Sequence, residues 1–221
     1  MENQITVRAL AVYLLGIWIL ALGVVITVIS NLGVGAGAIV PYVFSVVFHT
    51  DQGLMTIAVN WLFVLAQIVL LGKHFRLRLF LQLPLAGVYG LCITFWTRVL
   101  AFISVHSYWQ QLILLLCGIV IAALGLSIYL LVEIVALPPE SLLRAIEFRI
   151  KYIPFGKMKR CYDLSCVALA SITSWFFLQR FAGIGEGTVL SALLTGMLLD
   201  TFQRKVGNAI HQFLNSGIIG E

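Results

Sequence analysis

The sequence predicts an all-α membrane protein with six transmembrane helices and two short re-entrant or interfacial helices, built as two inverted three-span repeats. Composition is the first reason. The chain of 221 residues is 61% hydrophobic and only 10% charged, where an ordinary soluble domain carries roughly 25% charged residues. Its mean hydropathy is +1.05. There are too few polar residues to cover a water-facing domain of this length, so the main solvent must be lipid. The second reason is that six segments approach the about 20 apolar residues a crossing requires. The third is that the order of spans, breaks and short helices occurs twice.

The first span is expected at about 8–30, with only Arg8 ahead of it. It is too long for a signal-peptide core and lacks a small-x-small cleavage site, so it reads as a membrane helix rather than a leader. A break follows, "NLGVGAGAIVPYV" from Asn31, and then a short helix over 38–49. Further spans are expected at 54–72, 82–103 and 110–132. The second break, "EIVALPPESLLRA" from Glu133, leads into a short helix over 139–151, and the last spans fall at 161–179 and 187–203. At 1.5 Å of rise per residue, neither short helix can cross about 30 Å of hydrocarbon.

The second short helix is amphipathic. Glu140, Arg144, Glu147 and Lys151 recur along one face, with Leu143, Ile146 and Ile150 opposite. Two arrangements fit. The helix can lie on the inner leaflet, which leaves Glu140 solvated. Alternatively it is a half-helix whose start, Pro138-Pro139-Glu140, points into a cavity.

Orientation follows from the basic residues. With six spans and both termini cytoplasmic, the inner side collects Arg8, Lys73, Arg76, Arg78, Arg144, Arg149, Lys151, Lys157, Lys159, Arg160, Arg204 and Lys205. Only Arg98 and Arg180 fall near the outer face, so twelve of the fourteen basic residues lie on one side. The positive charge therefore reports topology and gives no sign of a nucleic-acid partner. The expected location is the bacterial cytoplasmic (inner) membrane.

The repeat is visible in "ALG" at Ala21–Gly23 and again at Ala123–Gly125, each near the middle of a long span. Each is followed by a break, a short helix, a span with an early polar residue (Asn60 against Asp163) and a closing span. Aligning the closing spans pairs Gly90 with Gly196 and Thr94 with Asp200. Residues 1–106 form the first repeat, 107–206 the second, and 207–221 a C-terminal cytoplasmic tail, together one membrane domain. Three spans per half is an odd number, so the halves must cross the membrane in opposite senses. Inverted repeats with broken segments recur in secondary transporters, whose sites form near the midplane where the repeats meet.

Ionisable and polar residues inside a membrane are functional candidates by default. The substrate-binding candidates are Glu186, Thr188, Asp163, Asn60, Asn31, Glu140 and Asp200, and the candidate gating glycines of the breaks are Gly33, Gly35, Gly185 and Gly187. Ordinary structural roles compete for each. Glu186 and Thr188 can simply cap the last helix, with Arg180 or Arg98 near Glu186. Asp200 can pair with Arg204, and Asp163 with Lys159 or Arg160, across one helical turn.

Other chemistries find little support. Cys92, Cys117, Cys161 and Cys166 lack metal-ligand or redox spacing and read as structural thiols. No His pair has ligand spacing, and "GVGAG" at 33–37 follows a helix and lacks the GK[ST] of a phosphate loop. No nucleophile–base set is evident, so neither an enzyme, a cofactor nor a metal is expected.

Five stretches, "SNLGVGAGAIVPYVFSVVF", "LQLPLAGVYG", "LPPESLLRAIEF", "FGKMKRCYDLS" and "GIGEGTVLSALLTG", occur in this order between about Arg8 and Phe202. Together they resemble the YczE/YyaS/YitT family of bacterial membrane proteins, usually described as transporters. The resemblance places the family's recurring features on Asn31-Leu32-Gly33, Gln82-Leu83-Pro84, Glu140, Lys159, Asp163 and Glu186-Gly187-Thr188. The chain departs at Thr94, where members often carry Asp, and at Gly185, where many carry Arg.

The expected function is therefore transport of a small polar or zwitterionic solute, with Glu186, Thr188, Asp163 and Asn60 lining a site between the halves. The alternative is a non-transporting membrane partner that supports assembly or regulation of another complex through the basic surface from Arg144 to Arg160. The small residues of the spans would also allow close packing with a second copy.

Overall fold

A computed structural model describes residues 7–132, 134–149 and 155–215, with the side chains of 149, 155–160, 200, 208–209 and 211–215 left aside. The helices are α1 (Val7–Ile29), α2 (Ala36–Val47), α3 (Gln52–Leu71), α4 (Gln82–Val99), α5 (Tyr108–Leu131), α6 (Pro138–Arg149), α7 (Phe155–Leu178) and α8 (Glu186–Asn215). Two 3-10 turns, Gly72–His74 and Leu77–Leu81, join α3 to α4. Among the described residues there is no strand.

Five segments are long and apolar enough to cross a membrane: Val7–Ile29, Gln52–His74, Leu77–Val99, Tyr108–Leu131 and Cys161–Leu178. The sixth expected span, 187–203, falls in α8, which is not one of these five among the described residues and which runs past the predicted end without interruption. Residues 207–215, read from sequence as tail, continue that helix, and 216–221 lie outside the described residues.

Local chemistry explains the helix ends. Asp51 caps α3, its Oδ1 accepting from the N–H groups of Gly53 (2.8 Å) and Leu54 (3.1 Å) and from the Thr94 hydroxyl. Gln110 folds back to accept from the Ser107 N–H at 3.3 Å and so closes the start of α5. Pro138 and Pro139 open α6, where the N–H groups they lack have no intrahelical partner anyway. Asn31, with φ 57°, ends α1 in the left-handed conformation that Asn tolerates.

The packing is inside-out relative to a soluble protein. Val69, Phe102, Ile172 and Phe176 are each more than two-thirds exposed, whereas Gln67, Gln82, Ser127 and Ser174 are fully buried. Large apolar side chains suit a lipid-facing surface, and polar ones are turned inward to find partners.

The central contact is α1 against α5. A β-carbon added at Gly16 would lie 2.7 Å from Tyr129 N and 3.1 Å from Gly125 O, and one at Gly118 would lie 2.9 Å from Thr27 N and 3.0 Å from Gly23 O. As α1 advances from Gly16 to Gly23, its partner retreats from Gly125 to Gly118, so the two helices run antiparallel. Absence of side chains here lets the backbones touch, which is how helices associate when lipid removes the hydrophobic drive between them. Around this pair α4 packs on α1 and α8 on α5, while α2 packs on α7 and α6 on α3.

One end of the bundle carries Arg8, Lys73, Arg76, Arg78 and Arg144 and is called the basic end below. The break between α5 and α6 lies there. The break between α1 and α2 lies at the opposite end, against the start of α8.

Candidate functional site

At the end opposite the basic one, two glycine-rich segments interlock through their backbones. Val34 N–H donates to Gly183 O at 2.8 Å, and Gly187 N–H to Leu32 O at 2.8 Å. Gly33 has φ 135°, a conformation L side chains rarely adopt, and a β-carbon there would lie 2.7 Å from Thr188 N. A β-carbon at Gly185 would overlap Leu32 O, and one at Gly187 would lie 2.9 Å from it. Gly35 precedes α2 and faces Ser191 more loosely.

Thr188 is buried and closes this junction. Its Oγ1 donates to Gly183 O at 3.3 Å and accepts from Gly185 N–H at 3.4 Å. Glu186 opens α8, is exposed, and interacts with the Tyr108 hydroxyl at the start of α5. Asn31, Gly33, Gly185 and Glu186 rim an open depression of about 440 Å³.

At the basic end the break is held by side chains instead. The Tyr13 hydroxyl donates to Val135 O at 2.8 Å, Gln67 Nε2 to Pro138 O at 3.3 Å, and Arg78 to Ile134 O at 2.9 Å. Gln67 and Gln82 also exchange amide hydrogen bonds of 3.1 Å, both fully buried. The Ser141 hydroxyl donates to Ala136 O at 2.9 Å. These bonds fix the first turn of α6 inside the bundle, with Pro138, Ser141, Leu142, Leu143 and Ala145 buried. Of the two arrangements open from sequence, the helix therefore has the one whose start points inward.

That turn carries Glu140. Its charge acts at longer range on the phenols of Tyr13 of α1, Tyr89 of α4, Tyr129 of α5 and Tyr162 of α7. Phenols from four helices thus lie within electrostatic range of one carboxylate. Placement near the N-terminus of α6 suits a carboxylate. Tyr13 and Tyr129 also meet edge to face, with ring centroids 5.8 Å apart. Beside them lies a cavity of about 260 Å³, lined by Tyr129, Leu130, Ile134, Val135, Ala136 and Arg144.

The remaining sequence-derived candidates are scattered. Asn60 is buried on α3, in a row with buried Gln52, Thr56 and Gln67 at helical spacing. Asp163 is half-buried on α7, in electrostatic contact with Tyr162. Asp163 lies fifteen residues before the end of α7, about 22 Å along the helix at 1.5 Å per residue. Glu186 starts α8 at that far end, so Glu186 and Thr188 do not share a site with Asp163. The side chains of Asp200, Lys157, Lys159 and Arg160 lie outside the described side chains, and Glu133 and Lys151 outside the described residues. No group of three or more metal-binding side chains occurs among the described residues.

Sequence reasoning found Glu140 but missed its company. The tyrosines are spread over 13, 89, 129 and 162, and no local spacing links them. Gln67 was legible in principle, since Gln52, Thr56, Asn60 and Gln67 make a polar stripe on an otherwise apolar span.

Comparison with curated proteins and with solved structures finds no match. A family model does match, over residues 7–204, and through it the chain belongs to a family of unknown function, DUF6198.

Proposed function

We propose that the chain is a small-solute transporter of the bacterial inner membrane, built from two inverted three-span halves and binding a cationic or zwitterionic solute at Glu140. The observation that carries this reading is a carboxylate in the inward-drawn first turn of a broken helix, within electrostatic range of Tyr13, Tyr89, Tyr129 and Tyr162. Tyrosine faces and a carboxylate together suit a positively charged group.

The architecture supports the same reading. Adding 102 to Gly16 and Gly23 gives Gly118 and Gly125, and Gly16 touches Gly125 while Gly23 touches Gly118. Contacts exchanged in this way are what a two-fold relation between the halves requires. The same shift carries α2, Ala36–Val47, onto α6, Pro138–Arg149. The pairing of α2 with α7 is then the counterpart of α6 with α3. With α1 and α5 antiparallel, the relating axis lies in the membrane plane, the arrangement of inverted-repeat transporters. The resemblance to the YczE/YyaS/YitT family points in the same direction.

In this reading the two breaks are the two gates. The glycine junction at Leu32–Val34 and Gly183–Gly187 closes one side, and the 134–137 break with its cavity opens toward the other. Glu186 and Thr188 act in the first gate and Glu140 in the site. The test is solute-induced current from proteoliposomes on a solid-supported membrane, using a panel of amines, amino acids and neutral sugars. A current from charged or zwitterionic solutes that vanishes in Glu140→Gln, with that variant still folded, is expected. A current that survives Glu140→Gln at full size removes Glu140 from the mechanism.

A further inference from the structure

The basic end of the bundle sits where two apolar spans stop. Gln52–His74 and Leu77–Val99 are each long and apolar enough to cross a membrane, and Lys73, His74, Arg76 and Arg78 lie in or beside the turn that joins them. Leu77, 81% exposed, is the first residue of the second span, and Arg76 and Arg78 flank it. These two guanidiniums are therefore held at the edge of the hydrocarbon, the level of lipid headgroups. Phe80 and Leu81 are exposed just beyond them along the span, and Phe148 of α6 lies against His74 with ring centroids 5.3 Å apart.

Arg78 and Arg144 reach one place from two different elements. Arg78 donates to Ile134 O at 2.9 Å, and Arg144 lines, together with Ile134, the cavity of about 260 Å³. Both side chains are exposed. A guanidinium carries five donors, and Arg78 spends one of them on Ile134 O. Arg144, like Lys73 and Arg76, makes no ion pair among the described residues. The acids of α6 leave them unopposed: Glu147 is half-buried and makes no ion pair among the described residues, and Glu140 belongs to the turn drawn into the bundle.

We infer that the basic end docks an anionic phospholipid, its phosphate held between Arg78 and Arg144 and its acyl chains lying on Leu77 and Phe80. Guanidiniums give a phosphate paired N–H donors, and Lys73 and Arg76 add positive charge at the same level. The apolar flank selects a lipid over a free anion, because inorganic phosphate has nothing to set against Leu77 or Phe80. A choline headgroup carries the same phosphate, but its ammonium meets Lys73 and Arg76 as a like charge. A phosphate so held joins the α3–α4 turn to α6 and braces the break at Ile134. The site stands whether or not the chain moves a solute.

The experiment is thermal unfolding of the full chain in a neutral detergent, titrated with phosphatidylglycerol, with phosphatidylcholine of the same chains, or with inorganic phosphate. Binding raises the midpoint by linkage. Phosphatidylglycerol is expected to raise it by several degrees at a concentration where the other two do not, and added salt should weaken the effect. Arg78→Gln and Arg144→Gln should each raise the half-saturating phosphatidylglycerol concentration about fivefold, the worth of one charge at headgroup level. Arg98→Gln, at the opposite end of the bundle, should leave it unchanged. Because Arg144 is exposed, its variant is expected to fold. Arg78→Gln also gives up the bond to Ile134 O, so its shift is read from its own starting midpoint.

An equal shift from phosphatidylcholine overturns the preference for an anionic headgroup. An equal shift from inorganic phosphate overturns the lipid in favour of a soluble-anion site. A phosphatidylglycerol shift that survives Arg78→Gln and Arg144→Gln together, or weakens just as much in Arg98→Gln, overturns the paired-arginine site in favour of diffuse attraction to net charge. No shift from any of the three overturns the inference outright. Proteoliposome currents test transport separately and are untouched by these results.

Discussion

The two breaks occupy equivalent places in the chain and are closed by opposite means. At one end, backbone meets backbone: Leu32 and Val34 bond directly to Gly187 and Gly183, and glycines make room for the approach. At the basic end, side chains from α1, α3 and the α3–α4 turn reach in to hold the carbonyls of residues 134–138. The first junction contains no buried carboxylate among the described residues, and the second is centred on Glu140. A backbone clasp can close tightly but offers little chemistry to a solute. A side-chain clasp can trade one of its members for a ligand. On the transport reading proposed above, the glycine junction is suited to a gate and the side-chain junction to a binding site.

Substitutions at the two junctions sharpen this contrast. The largest effect is expected from Gly33→Val, which puts a branched side chain at φ 135° and onto Thr188. Folded, monodisperse protein should be lost on size exclusion. Gly185→Ala pushes a methyl group into Leu32 O and should cost about 1–3 kcal/mol through overpacking, seen as a lower unfolding midpoint.

At the basic end, Gln67→Ala leaves Gln82 and the Pro138 carbonyl without a buried partner. Its cost should be similar, about 1–3 kcal/mol. Tyr13→Phe removes a single bond to Val135 O and should cost about 1 kcal/mol in the same unfolding experiment. The smallest effect is expected at Gly196, where a β-carbon meets nothing within 4 Å. Gly196→Ala should be neutral or stabilising by up to about 1 kcal/mol. If Gly185→Ala is equally silent, the backbone clasp is looser than its contact with Leu32 O requires.

The helical, membrane-spanning class and five of the expected spans were legible in the sequence, because lipid imposes a length and an apolarity that few segments meet by chance. The short helices expected at 38–49 and 139–151 appear at Ala36–Val47 and Pro138–Arg149. Their glycine and proline signals mark helix starts whichever way the helices lie. The direction of α6 was not legible. An amphipathic pattern fits a surface helix equally well, and the bonds that draw its first turn inward come from Tyr13, Gln67 and Arg78, far away in sequence. Glu186 stood out in sequence because glycines surround it, yet it lies exposed at a helix start. Glu140 looked ordinary beside Arg144 and Glu147, yet the tyrosines of four helices lie within its electrostatic range. Local sequence marks where backbone is unusual, whereas a site built from several helices leaves no local trace.

The most direct measurement asks whether the two breaks are coupled, and needs no knowledge of the solute. In a background without the native cysteines, Ala136→Cys reports on the cavity at the basic end and Ile184→Cys on the glycine junction. Labelling rates with a membrane-impermeant maleimide are compared with and without Gly185→Ala, which props the glycine junction open. Alternating gates predict that Gly185→Ala speeds labelling at position 184 and slows it at position 136. Faster labelling at 184 with no change at 136 would contradict a transport cycle and leave two independent, static breaks.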